Sequence, residues 1–260
     1  MKTVVGNSIK RLEDRRLLTG GGRYVDDVVR PDIAYAVIVR SDHAHARVER
    51  IDLGRALAQP GVLGGFTGTD VEGMRTIPLR SGARDSLVPF LQLPLARDRV
   101  RYVGEPLAVL VASDPAAAED ARELVRVDYE ALPAVVDVDQ ATSASAPRLF
   151  EDGNVAASWT TAVGDVERAL RASAHVISER FSTGRLTGVP LETRGLLAEW
   201  TDGDLTVWGT TKIPYFNRRT LAPMLGVDEA RVHFVETDAG GGFGSRGEFY
   251  PEDFLIPWAA

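Results

Sequence analysis

The sequence of 260 residues has no cysteine. That excludes disulfides, thiolate-bound zinc, iron–sulfur ligation by this chain and a cysteine nucleophile. Histidine is sparse, with four in the chain, which weighs against a metal site built from imidazoles. Lysine is sparser still: Lys2, Lys10 and Lys212 are the only lysines among 30 basic residues, so the positive charge is almost all arginine. Basic residues fall short of acidic ones, 30 against 37, and no interleaving of basic with aromatic residues suggests nucleic acid as a partner. No apolar stretch, that around Leu107–Ala112 included, is long enough to span a bilayer. Met1 to Arg16 is charged and lacks the apolar stretch of a secretion leader. The expectation is a cytoplasmic protein with no membrane span. What is present, 44% apolar and 26% charged residues, suffices for one or two globular domains.

The polar, turn-rich first thirty residues read as an extended arm ending in a short strand at Arg23–Asp27. Ile33–Val39 is an apolar, β-branched run bounded by Pro31-Asp32 and Ser41-Asp42, which predicts a buried strand. Ala44, Ala46 and Val48 alternate with polar neighbours, and Ile51 and Leu53 resume one residue out of phase, as a bulged strand does. A short helix at Gly54–Ala58 and a strand at Val62–Phe66 follow. Leu107–Val111 reads as a buried strand. Asp114-Pro115 then supplies an N-cap and a first-turn proline, and Ala117, Ala121, Leu124 and Val125 share one helical face. A strand at Val125–Tyr129 completes a mixed α/β unit.

Periodicity fails from Val136 to Arg148, which reads as a linker. Beyond it the pattern predicts strands at His175–Phe181, Gly195–Trp200, Leu205–Trp208 and Arg231–Val235, a hairpin turn at Asp202-Gly203, and a helix over Pro214–Leu225 ending at Gly226. Pro251 opens a last helix with acids in its first turn. The chain then stops on the apolar Phe254, Leu255 and Trp258, which leads to the expectation of a chain cut short, with that segment uncovered and prone to aggregate.

The glycine cluster from Gly240 to Gly247 is the most chemical feature. Glycines admit positive φ and let backbone N–H groups approach an anion. Gly242, Gly244 and Gly247 match G-x-G-x-x-G after a strand, but the thirteen residues that follow cannot supply the helix, second strand and acid of a dinucleotide fold. Glu248 after Gly247 also rules out a Walker A loop. A cradle for phosphate or pterin beside Arg246 remains, against the plainer reading of a packed turn. His43 and His45 would share a strand face, but a metal needs a third ligand. Glu192, Glu248, Glu252 and Asp253 suit solvated or capping roles better than acid/base work.

Several stretches together go further: Gly20-Gly21-Gly22-Arg23-Tyr24-Val25-Asp26-Asp27, Arg40-Ser41-Asp42-His43-Ala44-His45-Ala46-Arg47, Val103-Gly104-Glu105-Pro106 and Val127-Asp128-Tyr129-Glu130. Pro190-Leu191-Glu192-Thr193-Arg194-Gly195 and Gly240–Gly244 with Phe243 complete the set. In this order the sequence resembles the molybdenum-binding large subunit of the xanthine dehydrogenase, aldehyde oxidase and carbon monoxide dehydrogenase family.

The resemblance implies an α+β chain: an N-terminal arm at 1–17, an α/β hammerhead domain at 18–135, a linker at 136–150, and at 151–260 the start of a mixed α/β molybdopterin-binding domain. It implies a molybdenum cofactor, molybdopterin as its cytosine dinucleotide. The partners implied are the remainder of the subunit, an FAD-binding subunit, a [2Fe-2S] subunit and a small-molecule substrate. The reaction implied is hydroxylation of a carbon centre, or oxidation of carbon monoxide, with water as oxygen source. Gly241, Gly242, Phe243 and Gly244 would lie against the cofactor, with Phe243 lining the substrate channel and no residue ligating the metal directly. Lys212 stands where many relatives have a glutamine near a molybdenum oxygen, and Ser245-Arg246 where relatives often have a lysine. The family's base, a glutamate near the C-terminus of the full subunit, has no counterpart here, so the catalytic set is incomplete and the chain is expected to be inactive alone. The competing reading is a non-catalytic binding or assembly module, or a decayed relative that keeps the hammerhead fold.

Overall fold

The computed structural model describes residues 5–71, 73–80 and 85–260. The arm forms α1 (Asp14–Leu18) and then a 3-10 turn at Val25–Asp27 rather than the expected strand. The reason is local: Asp27 reaches back to accept the Tyr24 N–H at 2.9 Å, and such an aspartate turn closes the chain before a ladder can start. Residues 1–4 of the arm lie outside the described residues.

The strands that follow are β1 (Tyr35–Arg40) and β2 (Ala46–Asp52), the latter running into helix α2 (Gly54–Leu57). After β3 (Val62–Thr67), a long connection with a 3-10 turn at Asp85–Phe90 leads to the two-residue strand β4 (Arg99–Val100), which the sequence pattern missed. Next are β5 (Pro106–Ala112), helix α3 (Pro115–Glu123) and β6 (Arg126–Ala131). Two three-stranded antiparallel sheets result, ordered β1-β5-β3 and β4-β2-β6. The strands flanking α3 thus belong to different sheets, so this unit is not a parallel crossover. The register between β2 and β6 slips between Val48 and Arg50, where the change of phase in the sequence expected a bulge.

Central position explains the composition of β5. It is paired on both edges, and Leu107, Ala108, Val109 and Leu110 are fully buried. Asp114 caps α3 by accepting the Ala117 N–H at 2.9 Å, and Ala121 packs with Leu53, Ala56, Ala108 and Leu110 beneath it.

The stretch read as a linker contains one short helix, α4 (Val138–Ala141), capped by Asp137. A helix that the pattern did not show, α5 (Val166–Ala172), is capped by Asp165. The strand expected at His175–Phe181 does not form. Alternation specifies a strand only where a neighbour completes the ladder; among the described residues none does, and Ile177 and Phe181 are 85% and 90% exposed.

The second half then forms β7 (Leu197–Thr201), β8 (Asp204–Trp208), helix α6 (Pro214–Leu225), β9 (Val232–Val235) and helix α7 (Pro251–Ala259). The sheet runs β7-β8-β9, the first pair antiparallel and the second parallel. Asp202 and Gly203 carry positive φ of 52° and 81°, the geometry of a tight hairpin. The largest core joins the two halves: Val71, Met74, Ile77 and Leu95, from the connection before β4, pack with Leu205, Leu221, Val232, Phe249, Phe254 and Leu255. Phe254 and Leu255 are buried there, so the last helix is covered, contrary to the sequence expectation.

Candidate functional site

Strand β9 delivers the chain to the glycine bend, and both ends of the bend are fixed. At its start, Asp238 accepts from the Arg16 guanidinium through both oxygens and from the Arg23 N–H at 2.7 Å. The hydrogen bond from Arg16 and the bond from Arg23 hold the Asp238 carboxyl well below the usual carboxylate range. At its far end, the Gly247 carbonyl accepts from Arg80 at 2.7 Å.

Between those ends an ion pair of the buried Arg246 with the partly buried Glu192 supports the bend from beneath. Glu192 Oε2 accepts from Arg246 Nη2 at 2.8 Å and from the Gly240 N–H at 2.7 Å. Arg246 Nε donates to the Gly241 carbonyl at 2.8 Å, and its Nη2 also donates to the Glu192 carbonyl at 3.0 Å. Residue 240 must be glycine for this approach, since a Cβ there would stand 2.3 Å from the Glu192 Cβ. Gly188 is also crowded, since a Cβ there would meet the Phe243 Cβ at 2.8 Å.

The bend itself carries strain and unspent donors. Gly241, Phe243 and Gly244 have positive φ, and for Phe243, at 48°, that costs about 1–3 kcal/mol. Phe243 is 78% exposed. The N–H groups of Gly241, Gly242, Phe243 and Gly244 make no hydrogen bond within the described residues. Four neighbouring donors in a bend of this kind suit an acceptor-rich group such as a phosphate, a pterin or a metal-bound oxygen. The sequence-assigned residues 241–244 therefore sit together on the surface. Lys212 reaches the tail of the bend, its N–H donating to the Arg246 carbonyl at 3.1 Å, and its side chain is exposed.

Other candidates lie elsewhere. His43 and His45 precede β2 and share no strand: His43 Nδ1 is 2.7 Å from Asp42 Oδ1 with its ring stacked on Tyr129, while His45 bonds the Pro133 carbonyl. Among the described residues no group of three or more His, Cys, Asp or Glu is placed to hold a metal ion. Glu248 pairs with Arg80 at 3.6 Å. Glu252 pairs with Arg40 and Arg194, and Asp253 caps α7 through the Tyr250 N–H while accepting from Arg194 at 2.9 Å. Burial pushes the Glu252 carboxyl up, but the hydrogen bond and charge of Arg40 outweigh it and hold the group low; at Asp253 burial wins and raises it. Glu252 is a strut between β1 and α7 through Arg40, whereas Asp253 ties α7 through Arg194 to the segment that leads into β7. A cleft of about 560 Å³ between residues 28–36 and 195–199 contains none of the sequence-assigned residues, and chemistry is better sought at the bend, where the open donors are.

The Arg246–Glu192 brace and the Arg16–Asp238 latch were not legible beforehand. Their partners are 54 and 222 residues apart, and no local spacing links them.

The family model described as "Aldehyde oxidase and xanthine dehydrogenase, a/b hammerhead domain" matches residues 19–133, and that of the "Molybdopterin cofactor-binding domain" matches residues 149–260. The chain is 37% identical to the nicotine 6-hydroxylase large subunit of Paenarthrobacter nicotinovorans, across 100% of this chain and 32% of that relative. It is likewise 37% identical to the carbon monoxide dehydrogenase large chain of Afipia carboxidovorans, across 93% of this chain and 31% of that one. The crystal structure of quinoline 2-oxidoreductase from Pseudomonas putida 86 superposes with a TM-score of 0.88 at 35% identity, covering 100% of this chain and 33% of its own. The chain thus spans about a third of the length of the relatives it matches. Among the described residues no helix is long and apolar enough to cross a membrane. The chain belongs to the xanthine dehydrogenase, aldehyde oxidase and carbon monoxide dehydrogenase family of molybdopterin-binding large subunits, with a hammerhead domain followed by the start of a molybdopterin-binding domain.

Proposed function

We propose, from that membership, that the chain serves as the hammerhead and opening cofactor-binding segment of a molybdenum hydroxylase large subunit, and that the bend at Gly241–Gly244 forms one wall of the cofactor site. The single observation that carries the reading is the set of four unbonded N–H groups in an exposed bend that is braced from below. This fits a molybdopterin cofactor, whose oxygens are acceptors, and it needs no ligating side chain from this chain. The division proposed is an arm at 1–17, a hammerhead domain at 18–135, a linker at 136–150 and the cofactor-binding segment at 151–260. The family matches at 19–133 and 149–260 support it.

In this reading the backbone of Gly241, Gly242, Phe243 and Gly244 donates to the cofactor, and the exposed Phe243 ring lines the substrate channel. Lys212 brings a cationic donor to the tail of the bend, able to meet an oxygen or an anionic group there. When bound, the cofactor, as the cytosine dinucleotide, supplies a two-electron oxidation with water as the oxygen source. Partner subunits carrying [2Fe-2S] and FAD would accept the electrons, in a cytoplasmic assembly. The substrate class is a small molecule oxidised at carbon, either a carbon centre that is hydroxylated or carbon monoxide; relatives bear both kinds of name. The rest of the large subunit completes the pocket and supplies the base, so the chain by itself is inactive.

Elemental analysis tests this. The 260-residue chain expressed alone is expected to hold no stoichiometric molybdenum, and the assembly with the remaining large-subunit polypeptide and both partner subunits a full equivalent. A complete assembly without molybdenum would overturn the reading and favour a module that only docks partners.

A further inference from the structure

We propose that Arg246 is a positioning residue that aims backbone donors of the bend, acting as a guanidinium fork rather than as one half of an ion pair. The inference rests on the reading of the bend as a cofactor wall. A trans peptide unit points its carbonyl and its N–H in opposite directions. Arg246, which is 7% exposed, draws the Gly241 carbonyl inward through Nε at 2.8 Å, and this turns the Gly242 N–H away from the protein interior. Ser245 does the same one peptide further on. Its N–H and Oγ both donate to the Gly242 carbonyl, at 2.8 and 2.6 Å, so that the Phe243 N–H faces away from Ser245.

Glu192 keys the fork. Its Oε2 receives both the Gly240 N–H and Arg246 Nη2, while its carbonyl takes a further bond from the same Nη2. The guanidinium is thereby fixed in its plane and Nε is left for Gly241 alone. A buried ion pair adds little to stability compared with apolar residues of the same size. One placed under a strained bend whose N–H groups at residues 241–244 are unspent is better explained by the shape it imposes. A lysine could keep the charge next to Glu192, but a single ammonium cannot reproduce the planar fork that holds the carbonyls of Gly241, Glu192 and, at 3.4 Å, Thr193 together with a carboxylate.

The test uses the 260-residue chain with Arg246→Lys and Arg246→Met, following the Gly241 carbonyl carbon and the Gly240 amide by NMR. In Arg246→Met, the Gly241 carbonyl resonance is expected to move and Gly240 amide exchange to speed at least tenfold, while the amides of β8 and α6 keep their protection. In Arg246→Lys, Gly240 exchange should stay near the native rate, because the charge on Glu192 is still met, yet the Gly241 carbonyl should move as in the methionine variant. Spectra of Arg246→Lys that match the native chain at both positions would overturn the fork. So would an even loss of protection throughout Arg246→Met, which would mark an ordinary core pair. Whether the bend touches the cofactor is read from the native protein alone: in the assembled enzyme, loading the cofactor should protect the amides of residues 241–244. If it does not, the reading of the site fails, independently of the variants.

Discussion

At Asp238 one carboxylate takes both arms of the Arg16 guanidinium and the N–H of Arg23, tying the N-terminal arm to the start of the bend. Because these donors favour the ionised form, the group's native pKa is depressed. The latch therefore contributes at any pH above the ordinary carboxylate value, near ~3.9, and is lost as pH falls toward the native pKa. By NMR titration, Asp238 is expected to stay ionised after exposed aspartates have protonated, and Arg16→Gln should raise its pKa toward the ordinary carboxylate range, with the Arg23 N–H still holding it somewhat low. A native Asp238 that titrates with the other aspartates would show that the latch does not form. At this scale the sequence is informative about what the chain does locally and mute about what meets across it. Glycines, Phe243 and Arg246 could be picked out as a cradle, while Glu192 gave no sign that it would close on Arg246 from 54 residues away.

Among elements, those set by short-range chemistry were readable. Helix α3 starts where Asp114 and Pro115 say it must, and the hairpin at Asp202-Gly203 follows from two residues that tolerate positive φ. The β2 bulge shows as a change of phase in an otherwise regular alternation. What failed depended on partners. His175–Phe181 has the pattern of a strand and no neighbour, and β4 is two residues long, too short to carry a pattern. The 3-10 turn at Val25–Asp27 came from a side-chain hydrogen bond that competes with strand formation. Since Asp114 satisfies an otherwise open N–H of α3, Asp114→Ala is expected to destabilise the chain by about 1 kcal/mol in chemical denaturation. An unchanged midpoint would mean that water replaces the cap at no cost.

In the whole molecule, the division into two halves hides a shared core. The connection between β3 and β4 sends Val71, Met74, Ile77 and Leu95 into the second half, and α7 closes the same core with Phe254 and Leu255. Periodicity cannot reveal this, because these residues sit in irregular chain. The strut Arg40–Glu252 ties the first sheet to α7, and Arg194–Asp253 ties α7 to the segment before β7, which anchors the platform from which the bend projects. An interior that is well packed there contrasts with the exposed run through Ile177, Phe181 and Leu186, and with a bend whose N–H donors at residues 241–244 remain open among the described residues. Anomalous scattering at the molybdenum edge, from crystals of the assembled enzyme, bears most directly on what that bend is for. The predicted result is a molybdenum peak beside the backbone of Gly241–Gly244, with the Phe243 ring on the approach to it; a peak on another face, with the bend left in solvent, would contradict it.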